Sequence, residues 1–299
     1  MNDSLLSFYN DGTPKNSLIF INGKINGTAK YYYPDSTLKE ESNYTQDTLH
    51  GKSRYYNTTG TLIKYSNYYK GVPHDSLIEY YDSGQTKSSL YYTYGSLNGP
   101  YTLWFESGDT TQHSFYKQDF LEGKSIAYYN NKKTKFILNY THGQLTGKNY
   151  YYFESGQLEK EIIFKDSEHR KYKKQYFENG ALEHISKYKY KKAVGNDGIE
   201  EELFVETRST FNSSGNLLQK GTFIDNRKQG TWLTYYDNKK VKSKELYKND
   251  KLSGEQRYYN ESGSLVQKAY YKADKRHGVI YWYENKQITK EIYYKNNLK

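Results

Sequence analysis

The chain has 299 residues, enough for two ordinary domains, and its 44 Lys and Arg against 34 Asp and Glu give a net charge of +10. Only 35% of the residues are hydrophobic while 38 are tyrosines, which excludes a conventional aliphatic core and requires any folded state to cover rings that carry polar tips. With no cysteine there are neither disulfides nor thiolate metal sites.

The opening MNDSLLSFYN has no basic stretch followed by an apolar one, and no segment approaches the roughly 18 apolar residues of a membrane span. Neither an export signal nor a membrane helix is therefore expected, and a cytoplasmic location is favoured.

From Asp3 onward the sequence returns to itself every 24 residues, at Gly27, Gly51, Asp75, Gly99, Gly123, Gly147 and Lys171, and again at Glu206, Gly230, Gly254 and Gly278. Counting each of these as position 0, position 5 is aromatic in every unit, from Phe8, Tyr32 and Tyr56 through Trp104 and Tyr128 to Tyr283. Position 17 behaves alike, from Phe20 and Tyr44 to Tyr271, and position 9 is a glycine in eight units. A period of this length is the signature of a repeat architecture.

The unit at Gly147 shows the elements within one period. KNYYYF is an aromatic run, ESGQ a turn, LEKEIIF an alternating run and KDSEHR a second turn, which together predict a β-hairpin and a link to the next one. Alternation places Leu158, Ile162 and Phe164 on one face and Glu159 and Glu161 on the other. The position-5 ring covers one face of the sheet and a looser aromatic row at position 6 the other.

A 24-residue hairpin cannot bury its own apolar face, so neighbours must pair. In chain order this gives repeats 1 to 8 over residues 3–194, an out-of-frame acidic insertion at 195–205, and repeats 9 to 12 over 206–299. The fold class is all-β: one continuous repeat domain, an elongated antiparallel meander of about 12 stacked hairpins.

The pattern G-x3-Y/x-Y-x3-G-x-L-x5-Y, repeated head to tail over nearly the whole chain, resembles the MORN-repeat family. It is closer to the bacterial MORN variant, many of whose members are described as antitoxins of toxin–antitoxin pairs. The eukaryotic Tyr-x-Gly-x-Trp core is missing, since Tyr68–Gly71 reads YYKG and Tyr140–Gly143 reads YTHG. The resemblance thus implies a hairpin-repeat fold and an interaction role, and does not carry over the phospholipid binding proposed for eukaryotic members.

Candidate chemistry is sparse. His50, His74 and His277 share position 23, but hairpins two strands apart separate them by roughly 10 Å, too far for one zinc with bonds near 2 Å. Asp82, Glu106, Glu154 and Glu178 recur as turn formers. No G-x-S-x-G, phosphate-binding loop or H-E-x-x-H occurs, so a non-enzyme without cofactor is expected.

The repeat breaks once. A basic group of Arg170, Lys171, Lys173, Lys174, Lys189, Lys191 and Lys192 is followed by GNDGIEEELFV with Asp197, Glu200, Glu201 and Glu202. Two readings stand: a loop whose acids pair with those lysines, or a docking site on the binding face.

The basic residues are the candidate partner-binding set, with an acidic protein surface as the expected partner. An anionic lipid surface and a carbohydrate are the alternatives. Nucleic acid ranks lower, because position 4 shows no regular interleaving of lysine with the rings. Oligomeric state is left open.

Overall fold

The computed structural model describes residues 2–194 and 200–298, so the expectation for Asp197 and its neighbours in 195–199 lies outside the described residues. Among the described residues there are 29 strands, five of them only two residues long, and no helix; every pairing is antiparallel and joins strands close in sequence. The chain divides into two compact units, Met1–Leu145 and Thr146–Lys299, each a meander of hairpins.

Turn chemistry explains the period. The first turn of each repeat closes through paired backbone bonds, as where Tyr9 N–H donates to Thr13 O at 2.8 Å and Gly12 N–H to Tyr9 O at 3.0 Å. The second turn places two consecutive residues at positive φ, as in Asn22 (55°) and Gly23 (75°) or Tyr94 (47°) and Gly95 (90°). Such turns match the right-handed twist of hairpin strands and favour Asn and Gly, whose side chains tolerate that conformation.

A register shift recurs after position 4. Tyr151 faces Lys160, yet Tyr152 faces Leu158, so Glu159 is the extra residue of a bulge. Leu158 therefore shares the side of Tyr152, opposite Ile162 and Phe164. Strict alternation predicted otherwise because it has no place for an inserted residue.

The deepest burial lies at positions 2 and 15, not at the position-5 rings, which are half-buried apart from exposed Phe8. In the first unit cross-strand pairing joins Ala29 to Ser42, Ser42 to Ser53 and Ser53 to Ser66, all 0% exposed. Ser114 and Ser125 continue the row. In a single-layer sheet such residues are buried only if longer neighbours close over them, and tyrosines at positions 4 and 17 do so. Tyr31 meets Tyr44, and Tyr55 meets Tyr68, hydroxyl to hydroxyl. Burial first, and then Glu40, pushes Tyr55 up to about 12.

In the second unit the same row includes Trp232, whose indole lies where a Cβ on Gly221 would be. It ends in a small apolar cluster of Ala269, Ile280 and Tyr294. We call this side the covered face and the other the outer face.

Both edges of each unit are tied from repeat to repeat. In four repeats with tyrosine at position 6, its hydroxyl donates to the position-5 carbonyl of the next repeat: Tyr9 to Tyr32 at 2.8 Å, Tyr33 to Tyr56 at 2.9 Å, Tyr81 to Trp104 at 2.8 Å and Tyr236 to Tyr259 at 2.7 Å. On the other edge a turn aspartate accepts a backbone N–H of the preceding repeat: Asp47 from Ile25, Asp119 from Leu97, Asp250 from Lys228 and Asp274 from Leu252, each at 2.7 Å.

Candidate functional site

The break in the repeat builds the longest hairpin. Leu182–Val194 and Glu200–Phe211 run to 13 and 12 residues, where eight is common elsewhere, and pair from His184 with Thr210 to Val194 with Glu200. Residues 200–205 are thus strand. Of the acids here, Glu200 pairs with Lys192 at 3.3 Å. Glu202 instead accepts His169 Nε2 at 2.9 Å, while His169 Nδ1 meets Asp166 at 2.7 Å. The Glu202 bond, outweighing the effect of desolvation and joined by Asp166, raises the His169 imidazole above the usual histidine range.

Alternation distributes the seven candidate basic residues over different surfaces. Lys189 and Lys191 are exposed on the outer face with Ile185 and Lys187, and Lys192 is exposed near the tip. Lys174 also faces outward, 3.3 Å from Glu161. Lys171 and Arg170 are exposed at the start of the strand Arg170–Tyr176. Arg170, opposite Phe164, and Lys192, opposite Glu202, share the side of Lys173, which turns onto the covered face opposite Ser186.

There it meets residues that no density of lysines in the sequence singles out. The pairing Ile162, Lys173, Ser186, Arg208, Gly221 runs straight across five strands. Glu206, 4% exposed, accepts Ser186 Oγ at 2.5 Å and Arg208 Nε at 2.6 Å. Lys160 and His184 lie in the adjacent row, either side of Gln175. Lys160 Nζ sits 4.1 Å from the Tyr151 ring centre, and the Arg208 guanidinium 4.7 Å from that of Phe223.

Burial, then the charges of Lys160, Arg208 and Arg170, hold the Lys173 ammonium below the ordinary lysine range. Burial and then Lys173 lower His184. The sequence does carry a signal: position 2 of the twelve repeats is uncharged everywhere except at Lys173 and Arg208.

Two features of the first unit also bear on binding. On its outer face Thr102, Asp109, His113, Ile126, Tyr128 and Lys132 line an open cleft of about 390 Å³, with Lys132 2.8 Å from Asp109. Along the second-turn edge the rings of His50, Tyr69, His74 and Tyr94 follow one another at centroid distances of 5.3, 5.7 and 4.6 Å, and Tyr94 is 64% exposed.

Position 12 completes a further pattern. Wherever position 6 is tyrosine, position 12 is lysine, and Lys15, Lys39, Lys87, Lys135 and Lys242 each stand 5.6 to 5.8 Å from the ring centre.

These features define a β-hairpin repeat protein with charged and aromatic surfaces. The MORN repeat variant family pattern matches residues 25–46, 145–166, 228–249, 252–273 and 276–296. No curated protein matches the chain.

Among solved structures the chain is similar to the crystal structures of TcdB2-TccC3-Cdc42, of TcdB2-TccC3 without the hypervariable C-terminal region, and of TcdB2-TccC3-TEV, at 10, 10 and 11% identity. Each match covers 94% of this chain and 18% of the other, with TM-scores of 0.21, 0.20 and 0.16. The chain thus spans about a fifth of the length of these structures. Among the described residues no helix is long and apolar enough to cross a membrane.

Proposed function

We propose that the protein is a non-catalytic binding scaffold whose partner is a protein with an acidic surface, as a partner of an antitoxin or immunity protein would be. The observation that carries this reading is the one hairpin that breaks the repeat. With the strand Arg170–Tyr176 beside it, it combines extra length, exposed Lys171, Lys189 and Lys191, and two cations at a position that is uncharged in every other repeat. With a net charge of +10, steering favours an acidic partner, and such steering weakens as salt rises.

The test uses the full chain as bait, with cross-linking and mass spectrometry to name the partner, followed by affinity measurements against salt. Changing Lys171, Lys189 and Lys191 together to glutamate is expected to weaken capture and flatten its salt dependence while leaving circular dichroism unchanged, because exposed lysines contribute little to folding. Unchanged affinity and salt dependence would place the partner elsewhere on the sheet.

A second reading, carbohydrate binding, is favoured by the His50–Tyr69–His74–Tyr94 edge, whose exposed rings offer flat apolar faces. Glycan-array binding that is lost in Tyr94→Ala and kept in the triple-lysine variant would select it.

A further inference from the structure

We propose that the covered face of the second unit holds a site for one oxyanion, a carboxylate or phosphate, gripped between Lys173 and Arg208 with Lys160 closing one side. The inference deepens the reading above, since an acidic partner would supply the carboxylate, but the site can be tested without that partner.

Charge is the first argument. The charges of Lys160, Arg208 and Arg170 all act on Lys173, and the carboxylate that acts on it is Glu206. Glu206 Oε1 already accepts both Ser186 Oγ and Arg208 Nε. Arg208 has thereby used one of its five N–H donors and still shows 41% of its side chain to solvent. Lys173 is half-buried and makes no hydrogen bond or ion pair among the described residues. Withdrawing a cation from water without a counter-charge is unfavourable, and half-buried Lys173 has three further cations and Glu206 acting on it, with Glu183 acting on the neighbouring His184. A bound anion removes that imbalance.

Shape is the second. Lys173 and Arg208 lie two strands apart in one straight row, so their Cα atoms are about 10 Å from each other. Between them is Ser186, the smallest side chain of the three, 1% exposed beneath the Glu206 carboxylate that accepts its hydroxyl, so two long cationic arms flank one acid. That span suits an oxyanion making charge-assisted bonds of about 2.8 Å to both arms. In the first unit the equivalent row is Ser42, Ser53 and Ser66, with no arms at all. His184 adds a wall that can donate an N–H in its neutral form.

The test is carbon-13 NMR of lysine side chains in the full chain, titrated over pH with two probes, inorganic phosphate and a tetraglutamate peptide. Without probe, Lys173 is expected to titrate below the other lysines. A bound anion should move its midpoint upward and shift its resonance saturably. Lys173→Gln and Lys160→Gln should each weaken probe binding about tenfold or more, as loss of a hydrogen bond to a charged group does. Lys187→Gln, on the outer face, should not.

Response to both probes supports the site and its role for an acidic protein. Response to phosphate alone supports the site and removes the acidic-protein reading. If neither probe moves Lys173, or if Lys187→Gln weakens binding as much as Lys173→Gln, the site is overturned.

Discussion

The covered face contains two pairs of buried serines that should respond oppositely to alanine. Ser53 and Ser66 face each other across two strands, both 0% exposed, and neither hydroxyl has a hydrogen-bond partner among protein atoms. Ser114 and Ser125 are equally buried, but their hydroxyls lie 2.7 Å apart, and Gln112 Nε2 donates to Ser114 at 3.0 Å.

A hydroxyl withdrawn from water without a partner costs about 1 to 3 kcal/mol, whereas a made bond contributes about 1 kcal/mol net. Ser66→Ala removes the cost and leaves a methyl that the site accepts, since alanine fills the same row at Ala29 and Ala269. We therefore expect Ser53→Ala and Ser66→Ala to stabilise the first unit by up to about 1 kcal/mol each, and Ser114→Ala to destabilise it by about 1 kcal/mol.

Repeat arrays depart from two-state unfolding, so hydrogen exchange of the strands Thr48–Tyr56 and Leu62–Tyr69 is the suitable assay, with urea midpoints as support. Equal destabilisation by Ser66→Ala and Ser114→Ala would show that tyrosine coverage, not hydrogen bonding, sets the energetics of the row.

Three further outcomes are expected. Tyr33→Phe deletes the 2.9 Å bond to Tyr56 O and should cost about 1 kcal/mol, read as faster exchange confined to the hairpins on either side. Gly221→Ala would bring a Cβ to 2.1 Å from the Trp232 indole and should destabilise by about 3 kcal/mol or more, while Trp232→Ala should cost about 3 to 5 kcal/mol and relieve that clash in the double variant, as a denaturation cycle would show.

Two titrations should carry opposite signs. Desolvation raises Glu255, but bonds from Lys268, Tyr270 and Arg257 outweigh it and hold the group at about 2, so its contribution is complete above the usual carboxylate value of 4.5 and fades as pH falls towards about 2. His169 is raised, so its contribution is complete below about 6.5 and is lost as pH rises through the folded value; His169→Gln should abolish that dependence in exchange at the strand Arg170–Tyr176.

The hairpins and their period were legible because turn glycines and strand aromatics recur at fixed spacing, and spacing is what a sequence displays directly. The bulge was not legible. Glu159 looks like any alternating residue, and only the pairing of Tyr152 with Leu158 reveals it as the extra one.

The buried row was hidden for another reason. Nothing in the sequence marks Ser53 and Ser66 as buried, because the tyrosines of positions 4 and 17 around them come in part from neighbouring strands. The candidate site was half visible. Lysine density drew attention to Lys189 and Lys191, which face outward, whereas Lys173 and Arg208 share a row only through the pairing of 184–194 with 200–210. Reading down the column at position 2 would have found both. Tyr33 and Lys39 were missed as a pair because they sit on opposite sides of a turn, where strand alternation has nothing to say.

The edge ties have a direction. A tyrosine hydroxyl reaches forward to the next repeat, as from Tyr33 to Tyr56, while a turn aspartate reaches back to the previous one, as from Asp47 to Ile25. The periods that begin at Gly27 and Gly230 thus carry a plug for each neighbour, and the sockets are backbone groups that every period has. Duplicating or deleting a whole period by recombination leaves every plug facing a socket, whereas any other change of length strands one. Selection can therefore set the reach of such a sheet in steps of one hairpin, without inventing a new contact.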